Sequence, residues 1–364
     1  MRTHPASRPV VVWLWATTLM LLTMIVVGGV TRLTGSGLSI VRWEPVVGAL
    51  PPLSATDWER VFALYRETPQ YALVNAGMDV EGFKSIFWWE YIHRLLGRAI
   101  GVVVFVPLVV FWWTERLDRR RALVLLGIFC LGGLQGFIGW YMVQSGLINV
   151  PQVSHYRLTL HLSLGFLLFA LVLWQALDVS LGAARHSAVD EHPPSPGFRR
   201  GVIAILTLVS ITAVSGGLVA GLRAGHAFPT FPLMLGQWVP PGLLAHEPVW
   251  RNFLDSAVTV QFQHRVLAVA VLIAAAGLSV AARRAALPKE ARQAADLLLA
   301  LVCVQAALGI TTLLLHVPVW AAAAHQGNAA LLIAGCLNLL HVLTAGAPAA
   351  QSAPVPSPAP ATSH

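Results

Sequence analysis

The chain has 364 residues, of which 56% are hydrophobic and 11% charged, and its formal net charge is +8. Soluble globular chains carry roughly a quarter charged residues, so this composition excludes a water-soluble domain of this length and chain-wide disorder. In a chain that enters lipid, a positive balance speaks to orientation, and no nucleic-acid partner is expected.

Apolar runs appear in order at Val10–Val30, Ile86–Trp113, Ala122–Val143, Leu158–Leu177, Gly201–Leu222, Ala257–Ala281, Ala294–Leu315 and Val319–Leu343. Each matches the roughly 20 residues that an α-helix needs to cross a bilayer core of about 30 Å. The first run is too long for a signal-peptide core, lacks a cleavage site and reads as an anchor. Between the first two runs, Ser54 followed by Asp57 has the form of a helix start. Trp58, Val61, Phe62 and Tyr65 then recur at helical spacing, which predicts an amphipathic helix at the membrane surface or on top of the bundle. Residues 346–364 are rich in Pro, Ala and Ser and read as a disordered tail.

With the N-terminus inside, Arg2, Arg8, Arg116, Arg119, Arg120, Arg121, Arg185, Arg199, Arg200, Arg283, Arg284, Lys289 and Arg292 share one face. Such packing of basic residues into short segments is expected of the cytoplasmic side. Both termini are therefore expected inside, with the long segments Thr31–Ser85 and Arg223–Ser256 outside. Cys130, Cys303 and Cys336 all fall in apolar runs, which leaves no loop disulfide.

The chain repeats itself. Gly28-Gly29 matches Gly216-Gly217, Trp43 to Pro51-Pro52 matches Trp238 to Pro240-Pro241, His93-Arg94 matches His264-Arg265, and Gln135 and Gly139 match Gln305 and Gly309. Four spans per half keep both halves in one orientation, as parallel repeats require. The expected fold is all-α and integral to the membrane, with eight transmembrane helices as two tandem four-helix bundles. The divisions are residues 1–180, a cytoplasmic linker at 181–200, residues 201–345, and the tail.

Of the 13 histidines, nine sit in loops, tails or helix ends, and the other four, His93, His161, His264 and His325, lie in predicted helices that run from outside to inside. Each sits four to eight residues in, or about 6–12 Å below the outer surface at 1.5 Å per residue. Imidazole in hydrocarbon is costly and usually functional, and a pair facing across a bundle suits bis-histidine haem ligation. Neither half shows a clear third ligand for zinc. His341, without a counterpart in the repeat, reads as an ordinary helix-end residue. Arg94, Arg98, Arg157 and Arg265 stand near these histidines and are candidates for binding propionates. One turn before the His-Arg pair the halves differ. Glu90 stands in the first and Gln261 in the second, so an acid in a position to move protons or stabilise developing positive charge occurs in the first half alone.

The Glu90-to-His93 motif with its following Arg94, the Gly28–Gly37 segment, and His161, His264 and His325 together resemble the haem A synthase family, across nearly the whole chain. The resemblance implies oxidation of the C8 methyl of haem O to a formyl group by successive hydroxylations. It implies a haem b cofactor on His264 and His325, the substrate haem between His93 and His161, and Glu90 as the catalytic acid. Thr31–Ser85 contains no cysteine, so the resemblance is to the branch without an outer-loop cysteine pair. Haem O synthase, an electron donor such as ferredoxin or quinol, oxidase assembly factors and membrane lipid are the implied partners, with homo-oligomerisation left open. The absence of an Arg- and Ser-rich transit segment points to a bacterial inner membrane. The competing readings are a di-haem b cytochrome that oxidises quinol, and a proton-coupled transporter with parallel repeats. The first leaves Glu90 unexplained, and the second calls for broken midplane helices.

Overall fold

The computed structural model describes residues 8–42, 47–147, 151–186, 196–285 and 287–344. Trp43, residues 187–195 of the expected linker, and the expected tail lie outside the described residues. Nine helices position the site: α1 (Arg8–Leu33), α2 (Ala55–Arg66), α3 (Val80–Trp113), α4 (Arg119–Leu147), α5 (His155–His186), α6 (Pro196–Gly221), α7 (Ala257–Arg284), α8 (Lys289–Leu314) and α9 (Val319–Thr344). All but α2 are long and apolar enough to cross a membrane, and no strand occurs among the described residues. The chain is a multi-pass, all-α membrane protein.

Hydrocarbon tolerates these helices because every backbone bond closes within the segment. The threonine hydroxyls of α1 also bond within their own helix. The hydroxyls of Thr17, Thr18, Thr23 and Thr31 donate to carbonyls one turn back at 2.8–2.9 Å. Within the first half α1 packs on α3 and α5, and α4 on α3 and α5; within the second, α6 packs on α7 and α9, and α8 on α7 and α9. Between the halves α1 meets α9, and α5 meets α6 and α9. One apolar cluster runs through that seam, joining Ile25, Phe166, Phe169 and Leu173 to Val202, Val271, Leu298 and Leu339.

The predicted surface helix forms as α2. Ser54 Oγ accepts from the Asp57 N–H while Asp57 Oδ2 accepts from the Ser54 N–H, a reciprocal cap. Its apolar stripe finds its partner on α3, which begins at Val80, well ahead of the expected Ile86. At 34 residues and 1.5 Å each, α3 spans about 50 Å, too long for the hydrocarbon alone. Its N-terminal turns bury Phe83, Ile86 and Phe87 against Trp58, Phe62 and Tyr65. Trp58 meets Phe87 edge-on at 4.9 Å between centroids. Hydropathy missed these turns because Glu81 and Lys84, paired at 2.6 Å, break the apolar run while extending the helix.

Candidate functional site

All four histidines rest on glycines of a neighbouring helix. A Cβ built on Gly139 of α4 would lie 2.8 Å from His161 Cε1, and one on Gly309 of α8 would lie 2.9 Å from His325 Cε1. A Cβ on Gly216 of α6 would lie 3.2 Å from His264 Cε1, and one on Gly28 of α1 would lie 3.1 Å from His93 Nε2. Only glycine lets a helix approach an imidazole so closely. Sequence reading used these glycines as markers of the repeat and missed their task as seats. Their recurrence in register with the histidines was the available signal.

The rings are not all turned alike. His161, His264 and His325 put the Cε1 edge on the glycine, with Nδ1 nearer than Nε2, whereas His93 puts Nε2 there. His325 Nδ1 lies 3.2 Å from the carbonyl oxygen of Gln305, one turn before Gly309. In that tautomer Nδ1–H donates and Nε2 keeps a lone pair, the usual arrangement of a metal-binding histidine. His161 and His264 stand beside the matching carbonyls of Gln135 and Thr212, but their Nδ1 atoms are buried without closing a hydrogen bond. His93 is within electrostatic reach of His161, and His264 of His325.

Glu90 is buried, 2% exposed, and both of its oxygens are engaged. Oε2 accepts from Ser39 Oγ and from the Ile40 N–H, each at 2.8 Å. Oε1 accepts from Arg94 Nη2 at 2.6 Å and Nε at 3.0 Å. Arg94 also donates to the carbonyls of Ile40 at 2.8 Å and Arg42 at 3.2 Å. The second half repeats this clamp. Arg265 donates to the carbonyls of Phe228 at 3.3 Å and Thr230 at 2.7 Å, and to Gln261 Oε1 at 3.3 Å. Counted from the paired glycines, Phe228 and Thr230 are the repeat counterparts of Ile40 and Arg42. Both arginines therefore fasten the chain leaving the first helix of their half. The sign of the residue one turn back distinguishes the halves: an ion pair in the first, a neutral amide in the second.

Arg98 lies one turn beyond Arg94 on the same face of α3. Arg157 donates to the Tyr141 carbonyl at 2.8 Å and stacks on that ring at 3.6 Å. Gln305, which sequence analysis used only to register the repeat, accepts from Asn328 Nδ2 at 2.8 Å and lies 3.4 Å from His325 Nε2. In the first half Gln135 Nε2 donates to the His161 carbonyl at 3.0 Å, and its Oε1 is buried without a partner. No group of three or more His, Cys, Asp or Glu suited to a free metal ion occurs among the described residues. Paired imidazoles, two with orphaned buried nitrogens, fit instead an iron that carries its own equatorial ligands. Haem fits this donor set.

Fold and site together define an all-α, multi-pass membrane protein with eight candidate spans, four of which carry a histidine seated on a glycine of a neighbouring helix. A family model described as cytochrome oxidase assembly protein matches residues 11–337. The chain is 48% identical over 344 residues to the heme A synthase of Nitrosospira multiformis, covering 93% of this chain and 94% of that relative. It is also 48% identical to the heme A synthase of Nitrosomonas eutropha, covering 90% and 92% respectively. To the heme A synthase of Rhizobium meliloti it is 48% identical, covering 90% and 88%. The chain belongs to the haem A synthase family.

Proposed function

We propose that this protein is a haem A synthase of a bacterial inner membrane, with both termini cytoplasmic, that oxidises the C8 methyl of haem O to a formyl group by successive hydroxylations. Residues 1–180 form the substrate half and residues 201–345 the half that keeps a haem b. The single observation that carries this division is the repeated clamp, in which each arginine holds two matching carbonyls but a carboxylate stands only at Glu90.

In this reading His264 and His325 hold the haem b, which when bound supplies one-electron transfer. Gly216 and Gly309 let their helices close on the two rings, and the Gln305 carbonyl fixes His325 in the tautomer that offers Nε2. His93 and His161 flank the substrate. The different turn of His93, with Nε2 against Gly28, supports a site whose occupant comes and goes. Glu90 stands one turn from His93 on the same helix. With donors on both oxygens its carboxyl group is held in place, suited to stabilising positive charge that develops as the methyl is oxidised. Arg94, Arg98, Arg157 and Arg265 are the propionate candidates, and Arg94, Arg157 and Arg265 each also donate to a backbone carbonyl. Haem O synthase as supplier, ferredoxin or quinol as donor, and oxidase assembly factors as recipients complete the proposal.

The test uses two variants. His264→Ala should purify without the haem b of the second half, and full retention would refute the ligand assignment. Glu90→Gln should retain that haem yet lose haem A formation, and product at the wild-type rate would remove Glu90 from the chemistry.

A further inference from the structure

At the outer end of the second half, four cationic or protonatable side chains converge from three parts of the chain. Arg32 leaves the end of α1, in the first half, yet its Nη2 donates to the carbonyl of Ala220 at the end of α6. Arg223 lies two residues beyond α6, its own N–H on the same carbonyl at 3.2 Å, and the His226 N–H bonds the Arg223 carbonyl at 3.1 Å. The turn between α8 and α9 closes over this segment. A Cβ on Gly225 would lie 3.2 Å from Val317 Cγ2, which brings His316 to His226. Arg32, Arg223 and His316 all act electrostatically on His226.

No carboxylate balances them. Among the described residues none of the four enters an ion pair. Asp255, at the entry to α7, has its oxygens engaged by Tyr156, His155 and Arg251. Like charges gathered at a partly apolar surface repel one another unless an anion joins them.

The position of the cluster says which anion. Ala220 is four residues outward of Gly216, the seat of His264, or about 6 Å along the helix. Gly29 packs on Gln326, the neighbour of His325, and Arg32 lies three residues outward of it, about 4.5 Å. The cluster therefore lies just outside the His264/His325 pair, at the depth where the carboxylate edge of a porphyrin held between them would emerge.

The first half carries the same backbone without the charge. In repeat register Arg223 becomes Gly35, His226 becomes Leu38 and His316 becomes Gly146. Gly35 and Arg223 share the left-handed conformation, at φ 68° and 52°. The Leu38–Gly146 contact, with Leu38 Cδ2 2.9 Å from a Cβ on Gly146, is the counterpart of the His226–His316 approach. Left-handed backbone strains a side-chain-bearing residue, and the second half accepts that strain to place an arginine.

We propose that Arg32, Arg223, His226 and His316 form a carboxylate anchor that holds the propionates of the porphyrin bound between His264 and His325, and that its absence from the first half is what leaves that half free to exchange its porphyrin. The proposal rests on the reading of His264 and His325 as haem ligands. It places a side chain of the substrate half on the cofactor of the other.

The test is made on the purified holoprotein with two variants: Arg223→Gly, which relieves the left-handed strain, and R223G/H226L/H316G, which installs the residues of the first half. Two quantities are read: the rate of haem transfer to excess apomyoglobin, and the propionate bending bands in the resonance Raman spectrum. A structural role for Arg223 predicts slower haem loss in Arg223→Gly, because the fold gains stability. The anchor predicts the reverse: at least threefold faster transfer for Arg223→Gly, at least tenfold for the triple variant, and shifted propionate bands in both. Wild-type transfer rates with unshifted bands would overturn the proposal. So would loss of co-purifying anionic phospholipid with haem retention intact, which would make the ligand a lipid headgroup. Haem retention by His264→Ala, measured alongside, would instead sink the ligand assignment itself.

Discussion

The glycine seats make a graded prediction that depends on distance alone. In Gly309→Ala the new Cβ would sit 2.9 Å from His325 Cε1 and 3.4 Å from Nδ1. Carbon atoms pack at about 3.5–4.0 Å, so the ring must retreat by roughly 0.6–1 Å, which breaks the 3.2 Å approach of Nδ1 to the Gln305 carbonyl. Overpacking a tight site costs about 1–3 kcal/mol. At 1.4 kcal/mol per decade that weakens haem binding by roughly 5- to 150-fold. Gly216→Ala, with 3.2 Å to His264 Cε1, should fall at the mild end. Gly277→Ala is the control, because a Cβ there meets nothing within 4 Å. Helix propensity alone should leave that variant unchanged or up to about 1 kcal/mol more stable. The assay is haem per chain after purification, the rate of haem loss, and the low-spin absorbance of a bis-imidazole haem. Equal retention in Gly309→Ala and Gly277→Ala would refute the idea that these glycines seat axial ligands.

Other expectations follow from the clamp and the outer surface. Glu90→Gln should fold, since the second half already holds Gln261 opposite Arg265, and its haem A output should fall at least tenfold; a parallel loss of expression would mean that the carboxylate is chiefly structural. Arg94→Ala removes bonds to the Ile40 and Arg42 carbonyls, and should raise amide exchange across residues 39–42 while leaving the second half unchanged. Asp255 is held below the ordinary carboxylate range by the Tyr156 hydroxyl, with Arg251 and His155 adding to it. Its contribution is thus full above the unfolded value of about 3.9 and is lost as pH falls through the lower folded value. Melting curves should accordingly show Asp255→Asn less stable than the parent at pH 7, with the gap closing below about pH 4; a gap that stays constant with pH would contradict this.

The spans were legible because lipid imposes a length and a polarity that few other environments do. The four histidines stood out in the sequence because an imidazole in hydrocarbon is rare and the repeat doubled the signal, and the glycine under each ring appeared only in the structure. The N-terminal turns of α3 were not legible, because Glu81 and Lys84 interrupt the apolar run although they pair along the helix. Charge and position along the helix cannot tell a propionate partner from the carbonyl partners that Arg94 and Arg265 have. That difference lies in where the segments after α1 and α6 turn back. Arg32 escaped notice because it belongs to one half in sequence and reaches the other in space.

The central claim is tested most directly by extracting and identifying the haems of the purified protein after co-expression with a haem O synthase. Haem A together with haem B is the predicted result. Haem B alone, at about two per chain, would contradict the claim and make the protein an electron-transfer cytochrome in which Glu90 serves only to hold Arg94 and the chain after α1.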